Sequence, residues 1–512
     1  MNIMNMTEDQ GPRVRELFTG FFKTDKIGSF VNGEIVYGAG ETLSLTDPSS
    51  GRTFAEFADA GQSVVDAAMD AADAAQPEWT KLTASARGRI MFEIGRQIRD
   101  NAANIAEIES RSAGRPIRDI RGEVLKVAEM FEYYAGWCDK LHGEVIPVPT
   151  SHLNYTRNEP IGVVVQITPW NAPLFTGGWQ IAPAICAGNG VVIKPSELTP
   201  LSTLILGLLC ERAGAPRGLV NVIAGQGATA GQAAIKHSRT GLVVFVGSAH
   251  AGSLVAAAAA KNVVPCILEL GGKSANIVFD DADFDRAILG AQSAIFGGAG
   301  QSCVAGSRLL VQRSIHEEFV ARYASAANRI PVGNPFEDTT QVGPINNLRQ
   351  WNKIAEMVTL GLNEGATLAA GGSRPQSLEE TGGFYFAPTI LDNVAPSATL
   401  FSEEVFGPVV GVTPFDTEEE AVALANNNPY GLAGAVWTNN VARAHRVASQ
   451  VRAGTFWING YKTISVMSPF GGFGKSGYGR SSGRDALMAY TQTKSIWVET
   501  AVAPGITFGY VA

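Results

Sequence analysis

Three residues able to make and break an acyl bond stand in separate stretches rich in glycine or proline. They are Cys303 in GGAGQSCVAGS (297–307), Glu269 in LELGGKSAN (268–276) and Asn171 in ITPWNAP (167–173). Small residues around a thiol let a substrate approach it closely, and a backbone N–H beside it can help hold an oxyanion. The alternative for Cys303 is a buried, inert thiol. Glu269 lies among apolar neighbours, so its carboxylate is either paired or carries a raised pKa suited to general-base work. Asn171 follows a strand end, where its amide can point into a cleft as an oxyanion donor; the alternative is a turn asparagine bonded to its own backbone.

Two further stretches have the form of nucleotide contacts. FVGSAHAG (245–252) ends a strand and opens a helix, so N–H groups near Gly247 and the Ser248 hydroxyl can face phosphate, although many such turns are only turns. VVIKPSE (191–197) places Lys194 and Glu197 just past another strand, where Glu197 could accept from ribose hydroxyls and repel a 2′-phosphate. Ser196 could equally cap a helix, with Glu197 in its first turn. Neither GKS triplet is a phosphate loop, because Ile267 and Pro469 stand where the first glycine of that motif is required.

Composition narrows the partners. The net charge is −8 and the basic residues are scattered, which leaves no electrostatic footprint for nucleic acid or an anionic membrane. No stretch reaches the length of an apolar membrane span, and the start carries early acids rather than a leader, so a cytoplasmic protein acting on a small molecule is expected. Five cysteines without a CxxC pair and six dispersed histidines argue against a disulfide framework and a metal site. With no local Cys/His pair, a base for Cys303 would be a carboxylate.

The elements that position these residues follow from periodicity. Residues 62–140 read as helices, with SVVDAAMDAADAA and ARGRIMFEIGRQIRDNAANIAEIES at helical spacing. From 161 onward β-branched runs (IGVVVQI, GVVIKP, GLVNVIAG, TGLVVFVG, VVPCILEL) alternate with turns and helices, the pattern of a parallel sheet covered on both faces. Such sheets bind ligands beyond the carboxyl ends of their strands. A second α/β series after 307 contains SRLLVQ, VVGVTPF and LAGAVWT. Residues 146–160 and 485–500 read as extended segments outside both series that could pair as an edge hairpin and serve an oligomer.

Taken together, PWNAP, KPSE, FVGSAHAG, LELGGK, FGGAGQSC, EEVFGPVV, NNPYGLAGAVW and SPFGGFGKSGYGR resemble the NAD(P)-dependent aldehyde dehydrogenase family, in order and spacing, from about residue 25 to 500. The resemblance implies an α/β fold of two Rossmann-like domains plus a small β oligomerisation element. An NAD-binding domain would span 1–145 and 162–270, a catalytic domain 271–470, oligomerisation strands 146–161 and 485–500, and a C-terminal tail 501–512. It implies Cys303 as nucleophile, Glu269 as general base, and Asn171 with the Cys303 N–H as oxyanion hole. Cofactor contacts would be Ile167, Thr168, Trp170, Lys194, Ser196, Glu197, Gly227, Gly231, Gly247, Ser248, Leu270, Gln350, Glu404 and Phe406.

A substrate channel would include Phe175, Trp179, Ile464 and Phe470, with Ala172 where a bulky aromatic often stands, which implies a wide apolar pocket for an aromatic or medium-chain aldehyde. NAD is expected over NADP, an aldehyde as substrate, a hydrolytic rather than CoA-acylating outcome, no metal, and a homodimer or homotetramer. The chain departs from the family at two positions tied to a charged relay near the base: Gln180 stands in place of lysine and Ser481 in place of glutamate. Fewer charges around Glu269 and a simpler pH profile are the expectation. The apolar tail AVAPGITFGYVA is expected to pack on a neighbouring subunit.

Overall fold

The computed structural model describes residues 10–502. The tail expectation therefore lies almost wholly outside the described residues.

The β-branched runs form the centre of an eight-stranded sheet. Cys266–Glu269, Thr240–Val246, Val163–Ile167, Gly190–Lys194 and Val220–Val222 run parallel in that spatial order. Val163–Ile167 and Gly190–Lys194 are buried throughout, because helices cover both faces. One face packs on Ala84–Asp100, Ile117–Ala135, Pro173–Cys186 and Leu201–Arg212, burying Trp79, Phe131, Ile181 and Leu206. The other packs on Gly61–Lys81 and Ala249–Ala260, with Val65, Met69 and Val255 in its core.

A second, seven-stranded sheet follows the order Thr367–Ala370, Thr389–Asp392, Val409–Phe415, Arg308–Gln312, Ala275–Val278, Ala433–Trp437, Thr455–Ile458. Only its first edge pair is antiparallel. It has its own core, around Phe296, Phe319, Tyr323 and Phe415. The two orphan segments pair as read: His152–Pro160 lies antiparallel to Thr491–Glu499, with Val145–Ile146 as a third strand.

Two local readings change. Residues expected to be extended from 485 begin instead as the helix Gly483–Ala489, consistent with the helix-forming DALMA, and the strand starts only at Thr491. Ser196 does not cap a helix. The next helix starts at Leu201, because Pro200 disfavours helical geometry at Thr199 and suits a helix start itself. Ser196 Oγ instead accepts from the Leu198 N–H at 3.3 Å, closing a turn.

One late crossing places the site. The two-residue strand Gly477–Tyr478 returns from the second half of the chain to the free edge of the first sheet, with Glu269 opposite Gly477. Gly477 has φ +104° and a Cβ there would meet Leu268 O at 1.9 Å, so only glycine fits. This crossing brings Ser481 to Glu269.

Candidate active site

Cys303 follows an unusual turn. The helix Phe284–Phe296 ends at Gly297, and Gly298, Ala299 and Gly300 all take left-handed φ, of 68°, 55° and 69°. The turn projects Cys303 into a half-buried position beside Val304, Leu432, Ala433 and Phe470. Burial first, then the charges of Glu404 and Glu269, push its thiol up to about 12.

Asn171 reaches the same loop. Its Nδ2 donates to Gln301 O at 2.8 Å, two residues before Cys303. An amide nitrogen carries two hydrogens, so this bond orients the group and leaves one donor free. Gln301 Oε1 in turn accepts from the Asn346 N–H at 2.9 Å, fixing the loop from its far side.

Glu269 ends its strand, 5 % exposed. Burial pushes its carboxyl up to about 8, against smaller opposing effects of Ser481 and Arg480. The two family departures meet here in one buried ladder. The Ser481 hydroxyl donates to Glu269 Oε1 at 2.9 Å, and Gln180 Nε2 donates to Ser481 Oγ at 3.3 Å. The Tyr490 hydroxyl donates to Gln180 Oε1 at 2.8 Å, and Gln166 Nε2 donates to Gln180 O at 2.8 Å. The partners behind Glu269, namely Ser481, Gln180, Tyr490 and Gln166, carry no charge. Glu269 Oε2 has no protein partner among the described residues, which leaves it able to take a proton.

The double glycine after Glu269 has a steric cause. A Cβ on Gly271 would lie 2.3 Å from Glu404 Oε2, and one on Gly272 would lie 2.8 Å from Cys303 O. Their absence lets Glu404 and the Cys303 loop close on the segment after Glu269. Glu404 Oε1 accepts from the Gly272 N–H at 3.0 Å, Lys353 Nζ donates to Glu404 O at 2.8 Å, and Glu404 is raised chiefly by burial.

The residues expected to contact a nucleotide gather along the carboxyl ends of the first sheet. Lys194 is buried, donates from Nζ to Gly225 O at 3.0 Å, and lies 3.6 Å from Glu197 Oε2; burial lowers its pKa. Ile167 ends its strand, and Thr168, next in the chain, has a buried hydroxyl with no protein partner. Gly227–Gly231 is a single π-helical turn, and a Cβ on Gly227 would meet nothing within 4 Å. The open Gly227 face and the orphaned Thr168 hydroxyl fit a bound dinucleotide.

Other predicted contacts hold the frame. The Gly247 N–H donates to Glu269 O at 3.0 Å, Ser248 caps the helix Ala249–Ala260 by accepting from the Ala251 N–H, and the Leu270 N–H donates to Ser476 O at 3.0 Å. Gln350 Nε2 donates to Val405 O at 2.8 Å and Phe406 O at 3.1 Å, so it steadies the turn carrying Glu404. Phe406, at φ +59°, meets Trp170 edge-on at 5.3 Å.

The expected channel residues also converge. Phe175 and Trp179 rings lie 4.8 Å apart, Trp179 and Phe470 5.8 Å, and Phe470 reaches the Cys303 cluster; Ile464 packs on the same core. Sequence reading missed Tyr490, the end of the neutral ladder, and Lys462, on which the charge of Cys303 acts. A lysine two residues before Ile464 was the one available signal. Among the described residues no group of three metal-ligating side chains occurs, and no helix is long and apolar enough to cross a membrane.

Residues 35–496 match the Aldehyde dehydrogenase family, and the chain belongs to it. Among relatives, the betaine aldehyde dehydrogenase of Bacillus subtilis is 41% identical, over 93% of this chain and 98% of that one. Human retinal dehydrogenase 2 is 42% identical, over 90% and 89%. In structure, PnpE from Pseudomonas sp. WBC-3 superposes with a TM-score of 0.92 at 41% identity, covering 94% of this chain and 99% of that one; it has also been solved with nicotinamide adenine dinucleotide. Betaine aldehyde dehydrogenase of Staphylococcus aureus with NAD+ superposes with a TM-score of 0.94 at 36% identity, over 98% and 99%. The protein is an oxidoreductase of the aldehyde dehydrogenase class.

Proposed function

We propose that the protein oxidises an aldehyde to its carboxylic acid through a thioester on Cys303, hydrolysed by water that Glu269 activates. The observation that carries this reading is the meeting of three distant stretches: Asn171 bonded to the Cys303 loop, Glu269 close enough for its charge to act on the thiol, and Gly272 against Cys303 O.

The Cys303 thiol gives up its proton to water as its sulfur forms a C–S bond to the carbonyl carbon, and the charge that develops on oxygen is held by the free Asn171 N–H and a backbone N–H of the 303 loop. NAD, when bound, supplies the acceptor for the hydride that leaves this carbon. Lys194, Glu197, Thr168 and the Gly227–Gly231 turn would hold its adenosine side, the Gly247–Ser248 turn its phosphates, and Glu404 with Phe406 its nicotinamide side. Glu197 favours NAD over NADP, because its carboxylate repels a 2′-phosphate. In the second half, Glu269 Oε2 takes a proton from water, the hydroxide attacks the thioester carbon, and the C–S bond breaks to release acid and thiol.

Each sheet then has its role: the first, with 1–145 and 162–270, the cofactor; the second, from 271 to 470, the nucleophile. The strands within 146–161 and 485–500 serve a homodimer or homotetramer, for their faces carry exposed Leu153, Trp497 and Val498. Cytoplasmic location accords with five free cysteines.

The test is NADH formation with a panel of aromatic, aliphatic, amino and semialdehydes, using NAD or NADP. Turnover preferring NAD and abolished in Cys303→Ala is expected. Turnover that survives this substitution would overturn the assignment.

A further inference from the structure

We propose that Lys462 forms an anion subsite in the wall of the substrate channel, so that the enzyme selects aldehydes bearing a distal carboxylate, the semialdehydes of dicarboxylic acids. The proposal rests on the aldehyde reading above and names the substrate class of that site.

Lys462 comes to the nucleophile from the segment that also supplies Ile464 and Phe470. Its Nζ donates to Gly297 O at 3.3 Å, at the start of the turn that carries Cys303. The space in front of Gly297 is otherwise free: a Cβ there would find only Lys462 Nζ, at 3.6 Å, within 4 Å. A Cβ on the next residue, Gly298, would meet nothing at all within that distance. An ammonium thus faces open space at the start of the turn that leads to Cys303.

Its neighbours do not neutralise it. Arg115, Asp119 and Cys303 are the groups whose charges act on Lys462. Arg115 is engaged by both oxygens of Glu123, at 2.7 and 2.6 Å, with Glu109 at 3.7 Å. Asp119 pairs with Arg118 at 3.2 Å. Lys462 makes no ion pair among the described residues. Burial lowers its pKa to about 8, so it is a cation through neutral pH. A half-buried cation without an anion carries part of a desolvation cost, and a carboxylate supplied by the substrate relieves it with a charge-assisted hydrogen bond.

The aromatic side of the channel accommodates the intervening chain. Phe175, Trp179 and Phe470 offer ring faces and no ionised group, so recognition divides into an apolar middle and a charged end. This revises the expectation of a purely apolar pocket. Succinate, glutarate and adipate semialdehydes fall in the class, and the length the channel prefers is read by experiment.

The experiment compares kcat/KM for each of these semialdehydes with that for the unbranched neutral aldehyde of equal length. The wild type is expected to favour one semialdehyde by about tenfold or more, carried mainly by KM. Lys462→Met is expected to bring that ratio to about one, and Lys462→Arg to restore most of it. A second reading needs no variant: the matching dicarboxylate inhibits neutral-aldehyde oxidation competitively, and inhibition fades as pH rises through about 8. A ratio near one in the wild type without dicarboxylate inhibition, or a ratio unmoved in a folded Lys462→Met protein, overturns the proposal. Turnover of the neutral aldehydes by the wild type tests the aldehyde reading separately.

Discussion

The charges of two carboxylates, Glu269 buried and Glu404 half-buried, act on Cys303, and their surroundings are built from opposite materials. Glu404 lies in a cationic frame: the Gly272 N–H donates to it, and Lys353 and Lys273 lower its pKa against burial. Glu269 has a hydroxyl, an amide and a phenol in series, and only Arg480 as a charge acting to lower its pKa. Both rise on burial. Glu404 is thereby equipped to stay an anchored acceptor, and Glu269 to exchange a proton near neutral pH. Paired groups with divergent environments are how a site separates binding from proton transfer.

The comparison breaks most directly at the base. Glu269→Gln should lower hydrolytic turnover by about 10² to 10⁴-fold while a burst of NADH persists, read by stopped flow. Next comes Gly271→Ala. Its new methyl displaces Glu404, and a misplacement of this size costs about 10²-fold in turnover and raises KM for NAD. The pH midpoint of deacylation, which belongs to Glu269, should not move.

Ser481→Ala sharpens the contrast. The serine lowers the Glu269 pKa, so its removal shifts the midpoint further up; a hydrogen bond to a charged group, about 1.5–3 kcal/mol, corresponds to about one to two units. Deacylation at neutral pH should then fall by about 10- to 100-fold, recovering in more alkaline buffer. Tyr490→Phe acts two bonds away. It should leave the midpoint nearly in place and cost about 1–3 kcal/mol of stability in denaturant unfolding, because Gln180 Oε1 loses its donor.

The parts legible in sequence were those coded locally. Cys303, Glu269 and Asn171 each sit in a stretch whose glycines or prolines announce a special backbone, and the alternation of β-branched runs with helices gave the parallel sheet. What was not legible depends on distance along the chain. The ladder joins Gln180 to Ser481 and Tyr490, 301 and 310 residues away. Ser481 and Gln180 were noticed only as departures from a pattern. No periodicity shows that Gly477 pairs with Glu269, or that Lys462 reaches Gly297, since each contact is fixed by tertiary packing. The misplaced cap at Ser196 had a local cause, the restriction that Pro200 imposes on Thr199.

The most direct test of the neutral ladder is the pH dependence of thioester hydrolysis alone, measured by acylating Cys303 with an activated ester and following acyl release after pH jumps. Glu269 works as a base only when ionised, and burial places its midpoint at about 8. The rate should therefore rise with pH as one titration centred near 8 and level above it. A rate already flat from pH 5 upward, or a rise in two separate steps, would contradict the account.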